Sequence, residues 1–250
     1  MKIDLKKGSA MKVETQIDQS IITEAQGQKM NIDQKMEFVF DLAVEDIDPQ
    51  NNFIFKNTYR RVAMQQNIPG IGENVLDTDH PEASKGAAVS IMEPLFKTLI
   101  GKSIKMTMTP RGKILSMDMS EIQNLTGTNE FSESNGLSEL FIEYPEKPIK
   151  PGDTWECERE IKGKIPMWLK AGYTLKEVKN GVAFIGVQGS YTSADEKIQI
   201  SGTTDGLMQV DVATGWTRRC ELNQKMDMRI QQTGLEMPMN VESRITINTL

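Results

Sequence analysis

The chain holds one histidine, His80, and any acid–base or nucleophilic chemistry of the Ser-His-Asp or Cys-His kind would have to start there. It stands in a turn-rich stretch directly before Pro81, where a lone imidazole is ordinarily solvated. Asp77, Asp79, His80 and Glu82 together form the densest set of ligand-bearing side chains, with enough oxygen donors for a divalent cation. An acidic turn ahead of a helix explains the same residues, because carboxylates are favoured at the positive end of the helix dipole, and this is the reading preferred. Asp46, Asp48 and Asn51 have the look of a calcium loop, but the sixth position is Asn51 rather than glycine and the twelfth is Asn57 rather than a bidentate glutamate. They read as a hairpin turn. Gly70-Ile71-Gly72 lacks the third glycine and the following helix of a phosphate loop. The 35 acidic residues single out no carboxylate pair. These residues predict a protein that is not an enzyme and needs no cofactor.

Methionine is the remaining anomaly, with sixteen in 250 residues. Many recur two apart: Met106 with Met108, Met117 with Met119, Met226 with Met228, Met237 with Met239. Thioethers bind soft Cu(I), but such sites rarely stand apart from His and Cys, and a spacing of two is what one face of a sheet requires. The flexible, polarizable side chain fills irregular cores and equally suits walls that accept varied ligands. Two readings follow, a filled core and an adaptable apolar wall. On the second, Met36, Phe38, Phe40, Met92, Phe96, Met106, Met108, Met226, Met228, Met237 and Met239 line the ligand.

The elements that would position these side chains are mostly strands. From Met30 to Val44 the residues Met30, Ile32, Met36, Phe38, Phe40, Leu42 and Val44 share one side with Gln34 as the single polar member, and the other side is largely charged. Fifteen residues at about 3.3 Å each reach roughly 50 Å, so the strand must bend. A shorter run at Met11, Val13 and Ile17 precedes it, with a turn expected at Gln26-Gly27-Gln28. Phe53 to Met64 follows as a further strand. Gly70 to Glu82 reads as turns. After it the period changes: Val89, Met92, Leu95, Phe96 and Leu99 recur at helical spacing, which predicts a helix from Ser84, as its cap, to Ile100, stopped by Gly101 and interrupted at Pro94. Ile104 to Met108 and Leu115 to Met119 form a hairpin around Pro110-Arg111-Gly112. Ser120 with Gln123 reads as a capping box for a short helix carrying Ile122 and Leu125, and Thr126 to Gly136 as a polar loop. Pro145, Pro148 and Pro151 mark the boundary between two β-meander halves, residues 1–144 and 145–250, within one continuous unit. Six more strands fill the second half, and Asn180-Gly181 is a two-residue type I′ turn. Low-identity parallels between the halves, such as Thr58-Tyr59 and Ser190-Tyr191, are explained either by an internal repeat or by shared meander grammar.

The expected fold is therefore mainly β: a large curved antiparallel sheet, a half-barrel or open barrel, with one helix covering part of the apolar face. A net charge of −6 with dispersed basic residues argues against nucleic acid, and no apolar stretch is long enough for a membrane-spanning helix. Cys157 and Cys220 are too few for a disulfide framework and read as free and buried, with a bond between them left open.

The Lys-x-Gly opening, the Met- and Gln-rich strand at Met30 to Met36, the Leu99-Ile100-Gly101-Lys102 segment ahead of Pro110-Arg111-Gly112, and the stretch Pro148-Ile149-Lys150-Pro151-Gly152-Asp153-Thr154-Trp155 resemble a family of functionally uncharacterised exported β-rich proteins and lipoproteins of Gram-negative bacteria. The motifs are structural and bring no catalytic residues. The resemblance implies a cell-envelope or periplasmic protein in a mature form with its leader removed; a cytoplasmic protein is the alternative. A fold-level analogy to the periplasmic lipoprotein carriers adds a curved sheet that holds acyl chains under a helical lid. Together these predict a module binding an apolar small molecule or lipid, with a structural or protein-interaction module as the other reading.

Overall fold

The computed structural model describes residues 1–25, 28–122, 140–161, 167–193, 198–232 and 235–250. Twelve strands form one antiparallel sheet: β1 (Ala10–Ala25), β2 (Gln28–Ile47), β3 (Phe53–Ile68), β4 (Gly72–Asp77), β5 (Ser103–Met108), β6 (Ile114–Asp118), β7 (Thr154–Ile161), β8 (Met167–Lys179), β9 (Val182–Ser193), β10 (Ile198–Asp211), β11 (Thr217–Gln232) and β12 (Leu235–Thr249). Their spatial order is β6-β5-β3-β2-β1-β12-β11-β10-β9-β8-β7, with β4 on the far end of β3. Most sequential neighbours pair, β5 joins β3 rather than β4, and β1 joins β12 in the middle. The sheet is open, and its two edges are β6 and β7.

The alternation around Met30 becomes β2, longer at both ends than the sequence pattern, and its ladder with β3 is bulged twice, by Arg60 of β3 opposite Val39 and Phe40 and by Glu45 of β2 between Val44 and Asp46. An extra residue bends a strand and tightens its twist, which is how 20 residues follow a curved surface. Asn180 and Gly181 both take positive φ, as a type I′ turn requires. At Asp48–Asn52 the Asp48 carboxylate accepts the backbone N–H of Gln50 at 2.9 Å and of Asn52 at 2.7 Å. That is a hairpin turn and not a cation loop.

Two expectations are corrected. Gly72–Asp77, read as turn, is strand β4, paired with Ile68 to Ala63 of β3. The helix, α1, begins at Val89 rather than Ser84 and runs through Pro94 to Leu99, after a 3-10 turn at Pro81–Ala83. Ser84 does not cap it. Its hydroxyl accepts the Asp77 N–H at 3.3 Å, while the buried Asn74 carboxamide of β4 accepts the Ala88 N–H at 2.9 Å. A side chain from a neighbouring strand thus satisfies a donor that no local sequence signal supplies. Gly101 takes positive φ just past the helix, as a stop should. The turn at Gln26-Gly27, the loop Thr126 to Gly136 and the Gln123 and Leu125 part of the second helix lie outside the described residues.

The core fills one end of the concave apolar face. Cross-strand register aligns Val62, Phe38, Thr15, Ile247, Cys220, Met208, Ile185 and Leu175 in a row across eight strands, all buried. The sheet curls enough for Phe55 of β3 and Trp216 beside β11 to meet, with ring centroids 5.5 Å apart. The extended segment 140–144 packs Leu140, Phe141, Ile142 and Tyr144 against them, with Phe141 5.6 Å from Trp216. Thr217 Oγ1 donates to Leu140 O at 2.8 Å and Tyr144 Oη donates to Gly215 O at 2.9 Å. The N-terminal segment closes the same end, where Ile3 N–H donates to Pro110 O at 2.7 Å and Asp4 N–H to Thr214 O at 2.8 Å.

Candidate functional site

The residues expected to line a ligand fall into two groups. Phe38, Phe40, Phe96, Met106 and Met108 are at most 4% exposed and belong to the packed core. Met36 and Met92 are half-buried against its margin. Met226, Met228, Met237 and Met239 are half-buried too, but they sit together toward the opposite end of the concave face, on β11 and β12.

A polar row separates the two groups. Gln66, Gln34, Gln19, Ser243, Gln224 and Thr204 are cross-strand partners in turn across β3, β2, β1, β12, β11 and β10. Because strand side chains alternate, all six point to the same face as the core residues two positions away. Gln19 Nε2 donates to Ser243 Oγ at 3.2 Å, and Gln224 Nε2 donates to Tyr191 Oη at 2.9 Å. Thr204 Oγ1 is buried with no hydrogen-bond partner among the described residues.

Beyond this row the face is apolar again. Ile32, Ile21, Val241 and Met226 are aligned across β2, β1, β12 and β11, followed by Met30, Thr23, Met239, Met228 and Ile200, then by Met237, Ile230 and Ile198. Most of these are half-buried, in contrast to the fully buried core. From Gln19 to Ala25 at the tip of β1 is six residues, or about 20 Å of strand. Among the described residues the site is thus an apolar wall toward the hairpin end, floored by amides and hydroxyls. Its chemistry is solvation and shape, with weak polar anchors at one depth. Helix α1 turns its buried side chains Val89, Phe96 and Leu99 into the core and packs against β4.

A groove of about 980 Å³ is lined by five carboxylates and three basic groups of the polar face, among them Asp18, Lys35, Asp205 and Arg244, together with Gln19, Gln34, Gln224 and Ser243 of the row. Lys225 and Glu242 pair across it at 3.0 Å. Elsewhere on that face Arg61 binds Asp77 in bidentate fashion, Nε to Oδ1 at 3.0 Å and Nη2 to Oδ2 at 2.7 Å, and also Glu37 at 3.1 Å. The hydrogen bonds from Arg61 hold the Asp77 carboxyl below its usual range against the opposing effect of burial. Asp77 is therefore occupied by a guanidinium, His80 is exposed with Nδ1 3.4 Å from Glu82, and among the described residues no three His, Cys, Asp or Glu side chains gather to hold a metal. Neither Cys157, half-buried, nor Cys220, buried, is joined in a disulfide.

Between the edges β6 and β7 lies a cleft of about 420 Å³, lined by Ile114, Met117, Phe141, Cys157, Arg159 and Tyr173 among others. Trp155 stacks on Tyr173 with centroids 5.5 Å apart and donates from Nε1 to Glu143 O at 2.9 Å. Burial pushes the Cys157 and Tyr173 pKa values up, so thiol and phenol are both neutral at pH 7.

The polar row, the segment 140–144 and the seam escaped sequence reasoning. Only Gln34 carried a signal, as the one interruption of the apolar alternation; its partners become visible once register is known.

With the fold in view, the comparisons with known proteins can be placed. Residues 50–125 and 117–217 match the family model DUF6263, described as a family of unknown function. The chain belongs to DUF6263. No curated protein matches the sequence of this DUF6263 member. Among solved structures, 99% of the chain superposes on 25% of a lipovitellin chain, from a study of lipid–protein interactions in lipovitellin, with a TM-score of 0.58 at 8% identity. The chain spans about a quarter of that protein's length, and at this identity the likeness shows the fold alone. A second match, to an outer membrane channel from Pseudomonas putida F1, covers 99% of this chain and 97% of that one at 7% identity, with a TM-score of only 0.29. No helix among the described residues is long and apolar enough to cross a membrane.

Proposed function

We propose that this DUF6263 member is a non-enzymatic binding module of the cell envelope that carries a lipid or the acyl chain of a lipoprotein. The observation that carries this reading is the apolar wall beyond the amide row, where Met226, Met228, Ile230, Met237 and Met239 are only half-buried while Phe38, Phe40, Met106 and Met108 of the same sheet are buried in the core. Leaving such a band in water costs roughly 25 cal/mol for each Å² of apolar surface, a cost that a lipid chain laid along it removes. Its depth of about 20 Å compares with the roughly 15 Å that one leaflet contributes to a bilayer's hydrocarbon core, so one chain fits lengthwise. Methionine supplies a deformable surface for chains of differing shape. Shared architecture with lipovitellin, in a structure concerned with lipid–protein interactions, is in keeping with this use of the fold. The filled core around Phe38, Phe40, Met106 and Met108 favours the second reading, a structural or protein-interaction module.

Mass spectrometry of organic extracts of the purified protein, together with titration of a fluorescent long-chain fatty acid, separates the two. Lipid in the extract and micromolar probe binding, weakened at least about tenfold by Met228→Lys with Met239→Lys, is the expected result. An empty extract with no probe binding leaves the structural reading.

A further inference from the structure

The two sheet edges face one another across the cleft of about 420 Å³. Among the described residues no backbone hydrogen bond reaches the outer side of β6 or of β7, each of which pairs on one side only. Unpaired edges of this kind are templates for another strand. Side chains on β7 alternate strictly: Trp155, Cys157 and Arg159 point inward and are half-buried, whereas Glu156, Glu158 and Glu160 point outward and are exposed. Among the described residues Lys170 of β8 lies near two of these carboxylates, at 3.5 Å from Glu156 and 3.7 Å from Glu158. Leu115 and Trp168, 51% and 50% exposed, stand at the two rims of the cleft.

We propose that the seam is a docking site for an extended basic peptide of a partner protein, which adds as a strand to the free edge of β7. Backbone pairing would supply affinity, and alternation would supply selectivity. Residues of the added strand opposite Glu156, Glu158 and Glu160 are lysine or arginine, since opposite charges directly across a ladder stabilise and like charges destabilise. Residues on its other face are apolar and lie toward Trp155 and Cys157, with the rims formed by Leu115 and Trp168. A second copy of this chain does not fit, because an antiparallel β7–β7 contact would set three glutamates against three.

The test uses the full chain and an acetylated, amidated decapeptide of alternating Lys and Val. Micromolar binding that weakens with salt, with slowed amide hydrogen exchange confined to residues 154–161, is expected. Exchanging the exposed carboxylates in Glu156→Lys, Glu158→Lys, Glu160→Lys should reduce affinity at least tenfold and admit an alternating Glu and Val peptide instead. A peptide of the same sequence with every backbone nitrogen methylated, equal in charge but unable to pair, should not bind. Equal binding of the methylated peptide, or binding without protection of 154–161, reduces the effect to surface charge and overturns the proposal. Self-association through the seam, or displacement of the peptide by a fatty acid, overturns the choice of occupant. Fatty-acid binding at the hairpin end is read separately, so either reading can fail alone.

Discussion

At the scale of single residues, the polar face is less passive than its alternation suggests. Glu37 faces solvent by pattern, yet it accepts Arg61 Nη1 at 3.1 Å and lies 3.5 Å from Lys35. Glu37→Lys would set three cations together, so it should lower stability by about 1 kcal/mol, whereas Asp33→Lys should stay within about 0.5 kcal/mol. Phe38→Asp, which puts a carboxylate into a site 2% exposed, should prevent folding altogether; comparable thermal midpoints for the Phe38 and Asp33 variants would contradict the assignment of faces. The Arg61–Asp77 pair makes a pH prediction. Because Asp77 titrates below its usual range in the folded state, its contribution is present above about pH 4 and disappears as the pH falls through the folded value. Arg61→Met should therefore lower the unfolding midpoint at pH 7 and converge with the parent protein once the pH has fallen below the folded-state value of Asp77. Cys157, with its pKa raised chiefly by burial, should alkylate far more slowly than a free thiol at pH 7.

At the scale of elements, the amide row is the feature whose removal is most informative. Gln224→Leu deletes the hydrogen bond to Tyr191 Oη and should cost about 1 kcal/mol, measurable by denaturant titration. If the row floors a lipid site, Gln19→Leu and Gln34→Leu should deepen the apolar wall and tighten binding of longer fatty acids. Strands were legible in the sequence because alternation at Met30–Val44 or around Asn180-Gly181 is a local property. The row was not, because it exists only across six strands, and register is a long-range fact. Helix α1 shows the same limit from another side: its periodicity located Val89 to Leu99, but its start depends on Asn74, fourteen residues earlier on a strand. Segment 140–144 had no periodic signal at all. Its role comes from aromatic contacts to residues more than seventy positions distant, such as Trp216.

At the scale of the whole molecule, the two ends of the sheet are built differently. Two glycines secure the closed end: a Cβ at Gly112 would lie 1.9 Å from Ile142 O, and one at Gly215 would lie 2.0 Å from Lys2 O, with positive φ at both. Gly112→Ala or Gly215→Ala should therefore cost on the order of 2–3 kcal/mol by forcing those crossing segments away. Nothing comparable packs over the hairpin end among the described residues, so probes of local opening should find it the first region to exchange. The pairing of β1 with β12 in the middle of the sheet has a mechanical meaning. Val13 lies opposite Thr249 and Thr23 opposite Met239, so the start of β1 and the end of β12 emerge side by side. A force applied between residues 10 and 250 would load the ladder like a zipper, one rung at a time, rather than shear all its rungs at once. The protein should thus part into two meanders at low force in an optical trap, however high its melting temperature.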